Sequence, residues 1–350
     1  MRDIMDILSS ALTNGQDDDE FFRAKIAVCG VGGGGSNTIQ RLCRTGVKGA
    51  SLVAVNTDAK HLNSLEPSIR RILIGDNLTR GLGAGGFPQV GARAAEYSRS
   101  TIESALNNYN LVFVAAGMGG GTGTGAAPIV ADVAKRSGAI VIGVVTFPFR
   151  LEGVRIATAK KGIEELSKNV DTLIVIDNQK LVNLYPNVAI EEAFKIADEI
   201  TTRAVRGISE TINTPSLINL DFADLKTIMS SGGLAMISVG EASGQDRVDK
   251  VVANTLQNKL LDVDYEGATG ILLHITGGED LTLGDANEIG NRLTGLTAPN
   301  ANVLWGARID PSYNGKVEVI AIFTGVKGSS IISTSASAKQ SSNDLGLEPL

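Results

Sequence analysis

Glycine clusters at 30–35, 81–91 and 117–125 most constrain what this chain can fold into. The first and third directly follow apolar runs, KIAVC at 25–29 and LVFVAA at 111–116. Such a run reads as a strand buried on both faces. A glycine tract at its end lets the backbone turn tightly and leaves its N–H groups unscreened by side chains. Glycine supplies 41 of 350 residues, about 12% against a background of ~7%. The excess has no three-residue period, which excludes collagen. Its placement between regular elements points to backbone-lined binding loops.

The clusters punctuate an alternation of strand and helix patterns. Strands are expected at 25–29, 51–56, 71–74, 111–116, 139–146 and 172–177. Helices are expected at 36–45, 91–107 and 124–137, with another between the last two strands. This order argues for an α/β fold with a doubly wound, mostly parallel, Rossmann-like sheet. Over 190–213, apolar Ala193, Phe194, Ala197, Ile200, Ala204, Ile208 and Ile212 step by three or four, until Pro215 stops the pattern. A helix of that length spans about 36 Å and can serve as a central spine. Beyond it, strands at 234–239, 270–276, 302–309 and 317–324 and helices at 246–260 and 283–293 suggest a second, smaller α+β domain with a mixed four-stranded sheet. The expected organisation is an N-terminal extension at 1–24, a first domain at 25–189, the central helix at 190–213, a second domain at 214–326, and a serine-rich disordered tail at 327–350.

Composition narrows the chemistry. A net charge of −6 argues against a dedicated nucleic-acid binder, which carries a basic stripe. The apolar runs are too short to cross a bilayer and no signal peptide is evident, so a cytoplasmic protein without direct membrane insertion is expected. Two cysteines, Cys29 and Cys43, exclude a disulfide framework. His61 and His274 lie far apart in sequence, which makes a zinc site or a histidine-based triad a poor prospect. Chemistry must rest on carboxylates, amides, backbone groups and a hard cation.

The cluster at 30–35 fits G-x-G-x-x-G, and Asp58 near the end of the next strand suits a ribose-binding acid. Taken alone, these features favour a nicotinamide or flavin oxidoreductase. The cluster GMGGGTGTG at 117–125 shifts that balance. Two glycine loops at the ends of parallel strands suit a polyphosphate held from two sides. Thr122 and Thr124 add hydroxyls for phosphate oxygens or a hydrated Mg²⁺. No Walker-type loop is present: the one Gly-Lys pair, Gly315-Lys316, lacks the upstream glycine.

GGGTGTG at 119–125 resembles the signature of the tubulin/FtsZ superfamily of GTPases. The rest of the chain resembles FtsZ in order: GVGGGGSN at 30–37, VNTDA at 55–59, GLGAGGFPQVG at 81–91, VTFPF at 145–149, DNQKL at 177–181 and INLDFADLKTIM at 218–229. GEDLTLGDA at 278–286 and LWGARID at 304–310 are more similar to archaeal than to bacterial members.

The resemblance implies a division-ring GTPase at mid-cell, bound to GTP or GDP, with Mg²⁺ held mainly through phosphates and water. It places Gly32, Gly33 and Asn37 in the first phosphate loop, and Asn56 and Asp58 at the phosphate and metal region. Ala84, Gly85 and Gly86 would sense the γ-phosphate, and Gly119, Gly120, Gly121, Thr122 and Gly123 would wrap the phosphates. Glu152 and Arg155 would hold the ribose side, although their spacing is one residue shorter than the common Glu-Gly-x-x-Arg. Asn178, Phe194 and Asp198 would read and stack the guanine.

The resemblance also implies that Asn219, Asp221 and Asp224 are catalytic. From Asp198 to Asn213 a helix rises about 23 Å, so acids beyond its far end do not reach the nucleotide of their own chain. They would serve the next subunit in a head-to-tail homopolymer. The end of the tail, 345–350, is a candidate peptide for a membrane-anchoring or division protein, SepF-like by resemblance. A nucleotide-regulated scaffold without catalysis is the remaining reading, and the presence of all three polar residues weighs against it.

Overall fold

The computed structural model describes residues 24–47, 49–184, 186–213, 222–230, 233–257 and 265–326. Strands β1 (Ile26–Val31), β2 (Ala50–Asn56), β3 (Arg70–Leu73), β4 (Leu111–Gly117), β5 (Ile140–Phe147) and β6 (Thr172–Asp177) are mutually parallel. They lie in the order β3-β2-β1-β4-β5-β6. That order reverses direction between β1 and β4, and in open α/β sheets ligands bind beyond the carboxyl ends of the strands at such a point.

The helices are α1 (Gly32–Thr45), α2 (Ala59–Asn63), α3 (Asp76–Thr79), α4 (Pro88–Tyr97), α5 (Arg99–Leu106), α6 (Thr122–Arg136), α7 (Val154–Ser167), α8 (Asn178–Leu184), α9 (Ile190–Asn213), α10 (Phe222–Ser230), α11 (Arg247–Gln257) and α12 (Leu283–Thr294). Side chains alternate across a strand, so neighbours on β4 enter opposite cores. Val114 joins Ala94, Ala126, Val130 and Ile163 of α4, α6 and α7. Phe113 joins Ile39, Leu42, Ile208 and Met229 of α1, α9 and α10. The apolar runs of β1 and β4 are continuous because both faces are covered.

Local geometry departs from the periodicity in three places. The pattern at 91–107 forms two helices, because Ser98 leaves helical geometry and its hydroxyl accepts the N–H of Gly75 at 3.0 Å. Helices α1 and α6 begin inside their glycine clusters, earlier than the expected starts at 36 and 124.

Strands β7 (Leu234–Ser243), β8 (Gly270–Gly277), β9 (Asn302–Ile309) and β10 (Lys316–Thr324) form the expected mixed four-stranded part, in the order β7-β10-β8-β9. β10 runs antiparallel to both of its neighbours. This part continues the parallel sheet, so the described strands form one sheet of 10. The seam is short: β6 meets β7 through Leu173–Leu234 and Ile174–Ala235. The spine α9 is tied to β10 by the buried Glu318 carboxylate, which accepts from Arg203 at 3.2 Å and Arg206 at 2.9 Å. The expected N-terminal extension, residues Asn219 and Asp221, and the tail lie outside the described residues.

Candidate functional site

β1 and β4 end side by side, with Val31 opposite Ala116. From these ends the chain enters α1 at Gly32 and, after the 117–121 loop, α6 at Thr122, in each case without a side-chain cap. The first N–H groups of both helices therefore lack intrahelical acceptors, and two positive helix ends face one crevice. This is a ready-made seat for anionic oxygens. The loops touch because they lack side chains: a Cβ on Gly32, at φ +72°, would lie 2.6 Å from the Gly123 nitrogen.

The crevice encloses about 410 Å³. Gly33, Gly120, Gly121, Thr122 and Gly123 line it from the two loops. The Thr122 hydroxyl bonds that of Thr57 at 2.7 Å, which fixes the start of α6 to the end of β2. Gly119 lies behind the lining and donates its N–H to Thr124 Oγ1 at 2.9 Å. Asn56 and Asp58 line the crevice beside α2. Asn56 Oδ1 accepts the N–H of Thr57 at 2.9 Å, while its Nδ2 is buried without a partner among the described residues. On the far wall, Asn178 Oδ1 is likewise buried and without such a partner. A buried donor and a buried acceptor left open cost free energy unless a ligand or water engages them.

Phe194 stands at this wall, 38% exposed, and meets Phe149 edge to face at 5.7 Å. The part of the ring left exposed is suited to stacking on a planar base. Glu152 and Arg155 both line the crevice and pair with each other at 2.7 Å, so the shortened spacing still keeps them on one face.

Other expected residues stand apart from the lining. Ala84 is buried beneath Gly121, whose added Cβ would come within 2.8 Å of it, and Gly85 and Gly86 turn outward with positive φ. From that loop only Gly83 reaches the crevice. Asn37 and Asp198 line an adjoining groove of about 530 Å³ between α1 and α9. Asp198 accepts from the Thr38 hydroxyl at 2.7 Å and pairs with Arg41 at 2.8 Å. Burial pushes its carboxyl above the ordinary aspartate range, and Thr38 and Arg41 counter that shift. His61, Met118 and Thr146, for which the sequence gives no binding signal, also line the crevice.

Asp224 is not part of this crevice. It is exposed in the first turn of α10. At the other end of that helix, the Met229 carbonyl accepts from Thr172 at 2.8 Å, at the start of β6. β6 then runs to Asn178, a rise of about 20 Å. Among the described residues no group of three or more His, Cys, Asp or Glu side chains is arranged to hold a metal ion. No described helix is long and apolar enough to cross a membrane. Around the crevice, Leu82, Phe87, Leu151 and Val154 are each more than 60% exposed. They lie on the segments that carry Gly83, Glu152 and Arg155.

Residues 25–186 match the model of the tubulin/FtsZ family GTPase domain, and residues 233–327 match that of the FtsZ family C-terminal domain. The chain is 54% identical over 343 residues to cell division protein FtsZ 2 of Methanocaldococcus jannaschii, covering 97% of this chain and 90% of that protein. It is 50% identical over 308 residues to cell division protein FtsZ 1 of Archaeoglobus fulgidus, covering 88% and 83%. A solved empty FtsZ dimer from M. jannaschii superposes with a TM-score of 0.83 at 46% identity, over 91% of each chain. A protofilament structure of CetZ2 from Haloferax volcanii, at 22% identity and a TM-score of 0.77 over 91% of this chain and 99% of that one, shares the fold. With both domains matched in order and half the residues identical along nearly the full length, the chain belongs to the FtsZ family of tubulin-like GTPases.

Proposed function

We propose that this chain is a cell-division GTPase that polymerises head to tail and hydrolyses GTP at the contact between subunits. The observation that carries the reading is that Asp224, exposed in the first turn of α10, does not line the crevice, while the far end of that helix is tied to the start of β6, the end of the strand away from the crevice. A carboxylate outside the crevice lining is not placed to act on its own chain's phosphates. In a head-to-tail stack it meets the neighbour's crevice, and such contacts propagate when the rotation does not close. The exposed apolar side chains around the crevice suit burial against the next subunit.

Within the crevice, the two helix N-termini and the glycine-loop N–H groups hold the phosphates. Thr122 and Asp58 lie where a hydrated Mg²⁺ bound through those phosphates would be steadied. The ion supplies charge neutralisation on the phosphate oxygens when bound. Phe194 and Asn178 hold the base, Asp198 accepts from the guanine N1–H and N2–H₂, and Glu152 and Arg155 face the ribose. Asp221 and Asp224, with Asn219, orient the attacking water for the neighbour's γ-phosphate, because phosphoryl transfer is catalysed chiefly by positioning and charge stabilisation. Loss of the γ-phosphate removes contacts with the 81–91 loop and loosens the junction. The tail binds a membrane-anchoring division protein, which locates the filaments at mid-cell. The oxidoreductase reading of the first glycine cluster gives way to the GTPase family match.

Light scattering and phosphate release with GTP and Mg²⁺ test this. Turnover per subunit should rise steeply above a threshold protein concentration, in step with polymer. Turnover per subunit that stays constant on dilution, with no polymer, contradicts it.

A further inference from the structure

His61 occupies a position that the roles above leave unexplained. Its backbone N–H donates to Asp58 Oδ1 at 2.9 Å, which caps α2 and fixes where the ring sits. The ring Nε2 is 3.0 Å from Asn37 Oδ1. The ring edge lies 3.6 Å from the point a Cβ on Gly33 would occupy. Gly33 and Asn37 are four residues apart on α1 and so share one face, and the imidazole lies along that face. His61 lines the crevice while Asn37 lines the adjoining groove that holds Asp198. Their hydrogen bond therefore stands on the ridge between the two hollows.

We infer that His61 is a positioning residue for the nucleotide, acting through Asn37. The ring N–H donates and the amide oxygen accepts. With its oxygen engaged in this way, Asn37 has its amide nitrogen left to offer, a donor suited to an acceptor atom of bound GTP. A free asparagine side chain would sample both amide orientations, and the Nε2–H tautomer of His61 selects one before the ligand arrives, which lowers the ordering cost of binding. This role rests on the nucleotide reading of the crevice.

The test is GTP affinity by calorimetry on the full chain, with His61→Ala, His61→Gln, Asn37→Ala and the double variant. His61→Ala should bind GTP about 3- to 10-fold more weakly, the range expected for one neutral hydrogen bond. The fold-loss in affinity should exceed the fold-loss in turnover per polymerised subunit at saturating GTP, because the change falls mainly on binding. His61→Gln, which keeps an N–H donor toward Asn37, should recover most of the affinity. The double variant should be no weaker than Asn37→Ala alone. Unchanged affinity in His61→Ala overturns the role, as does full additivity in the double variant, which would mean that His61 and Asn37 act independently. Failure of the unmodified chain to bind GTP would instead remove the nucleotide reading itself, and the wild-type arm reveals that separately.

Discussion

Asp224→Ala is expected to bind GTP as tightly as the unmodified chain and to hydrolyse it about 100-fold more slowly or worse, the range seen when one group that positions or stabilises a reacting centre is removed. The fold should survive. Asp224 is exposed in the first turn of α10, where an acid contributes about 0.3–1 kcal/mol through the helix dipole. The informative experiment mixes this variant with Gly120→Trp. A Cβ at Gly120 meets nothing within 4 Å, so an indole there grows into open space in the crevice lining and blocks nucleotide without displacing backbone. Alone, Asp224→Ala should turn over only at its residual rate and Gly120→Trp not at all. In a random copolymer roughly one junction in four sets an intact crevice against an intact Asp224, and turnover should return in proportion. Phosphate release with co-sedimentation reads this out. Absence of recovery in a confirmed copolymer would put catalysis within one chain.

Gly125→Ala should cost more stability than any other single-methyl change in the glycine loops. A Cβ there would fall 1.9 Å from the Pro88 carbonyl oxygen and 2.7 Å from the Ala92 nitrogen. Both are backbone atoms of α4, which cannot rotate away as a side chain would. Helices α4 and α6 must separate, at about 1–3 kcal/mol or more for forced overpacking. That should lower the melting temperature by several degrees. GTP affinity should fall too, because α4 carries the 81–87 loop against Gly121. Thermal melts with and without GTP measure both effects. Gly120→Ala serves as the control and should melt with the unmodified chain. A Gly125→Ala variant with an unchanged melting temperature would show that the interface is looser than described.

Much of this architecture is legible in the residues because it is local. KIAVC and LVFVAA announce strands covered on both faces, and the glycines after them announce turns into helices. What the chain does not spell out is which strands pair. The reversal between β1 and β4 depends on partners more than eighty residues apart, and the join of β6 to β7 rests on Leu173 and Leu234, whose local patterns carry no mark of it. The expected mixed four-stranded part is thereby joined to the parallel strands within one sheet. Ser98 divides a helical pattern because its hydroxyl serves a distant glycine.

The site follows the same rule. The glycine loops after β1 and β4 are contiguous motifs, and the fold brings both to one crevice. Ala84, Gly85 and Gly86 belong to such a motif, yet the loop packs so that Gly83 reaches the lining in their place. His61 was invisible as a binding residue because its meaning comes from Asn37, which only the fold brings within 3.0 Å. Asp198 takes its partners Thr38 and Arg41 from another helix, and no helical periodicity could predict that pairing.

The most direct measurement is the cryo-EM structure of the filament formed with a slowly hydrolysed GTP analogue and Mg²⁺. A reaction centre shared between subunits predicts the Asp224 carboxylate of one subunit facing the γ-phosphate in its neighbour's crevice, close enough for one water to bridge them. Asp224 turned toward solvent or toward its own chain, with the neighbour's triphosphate sealed off from it, would contradict that centre.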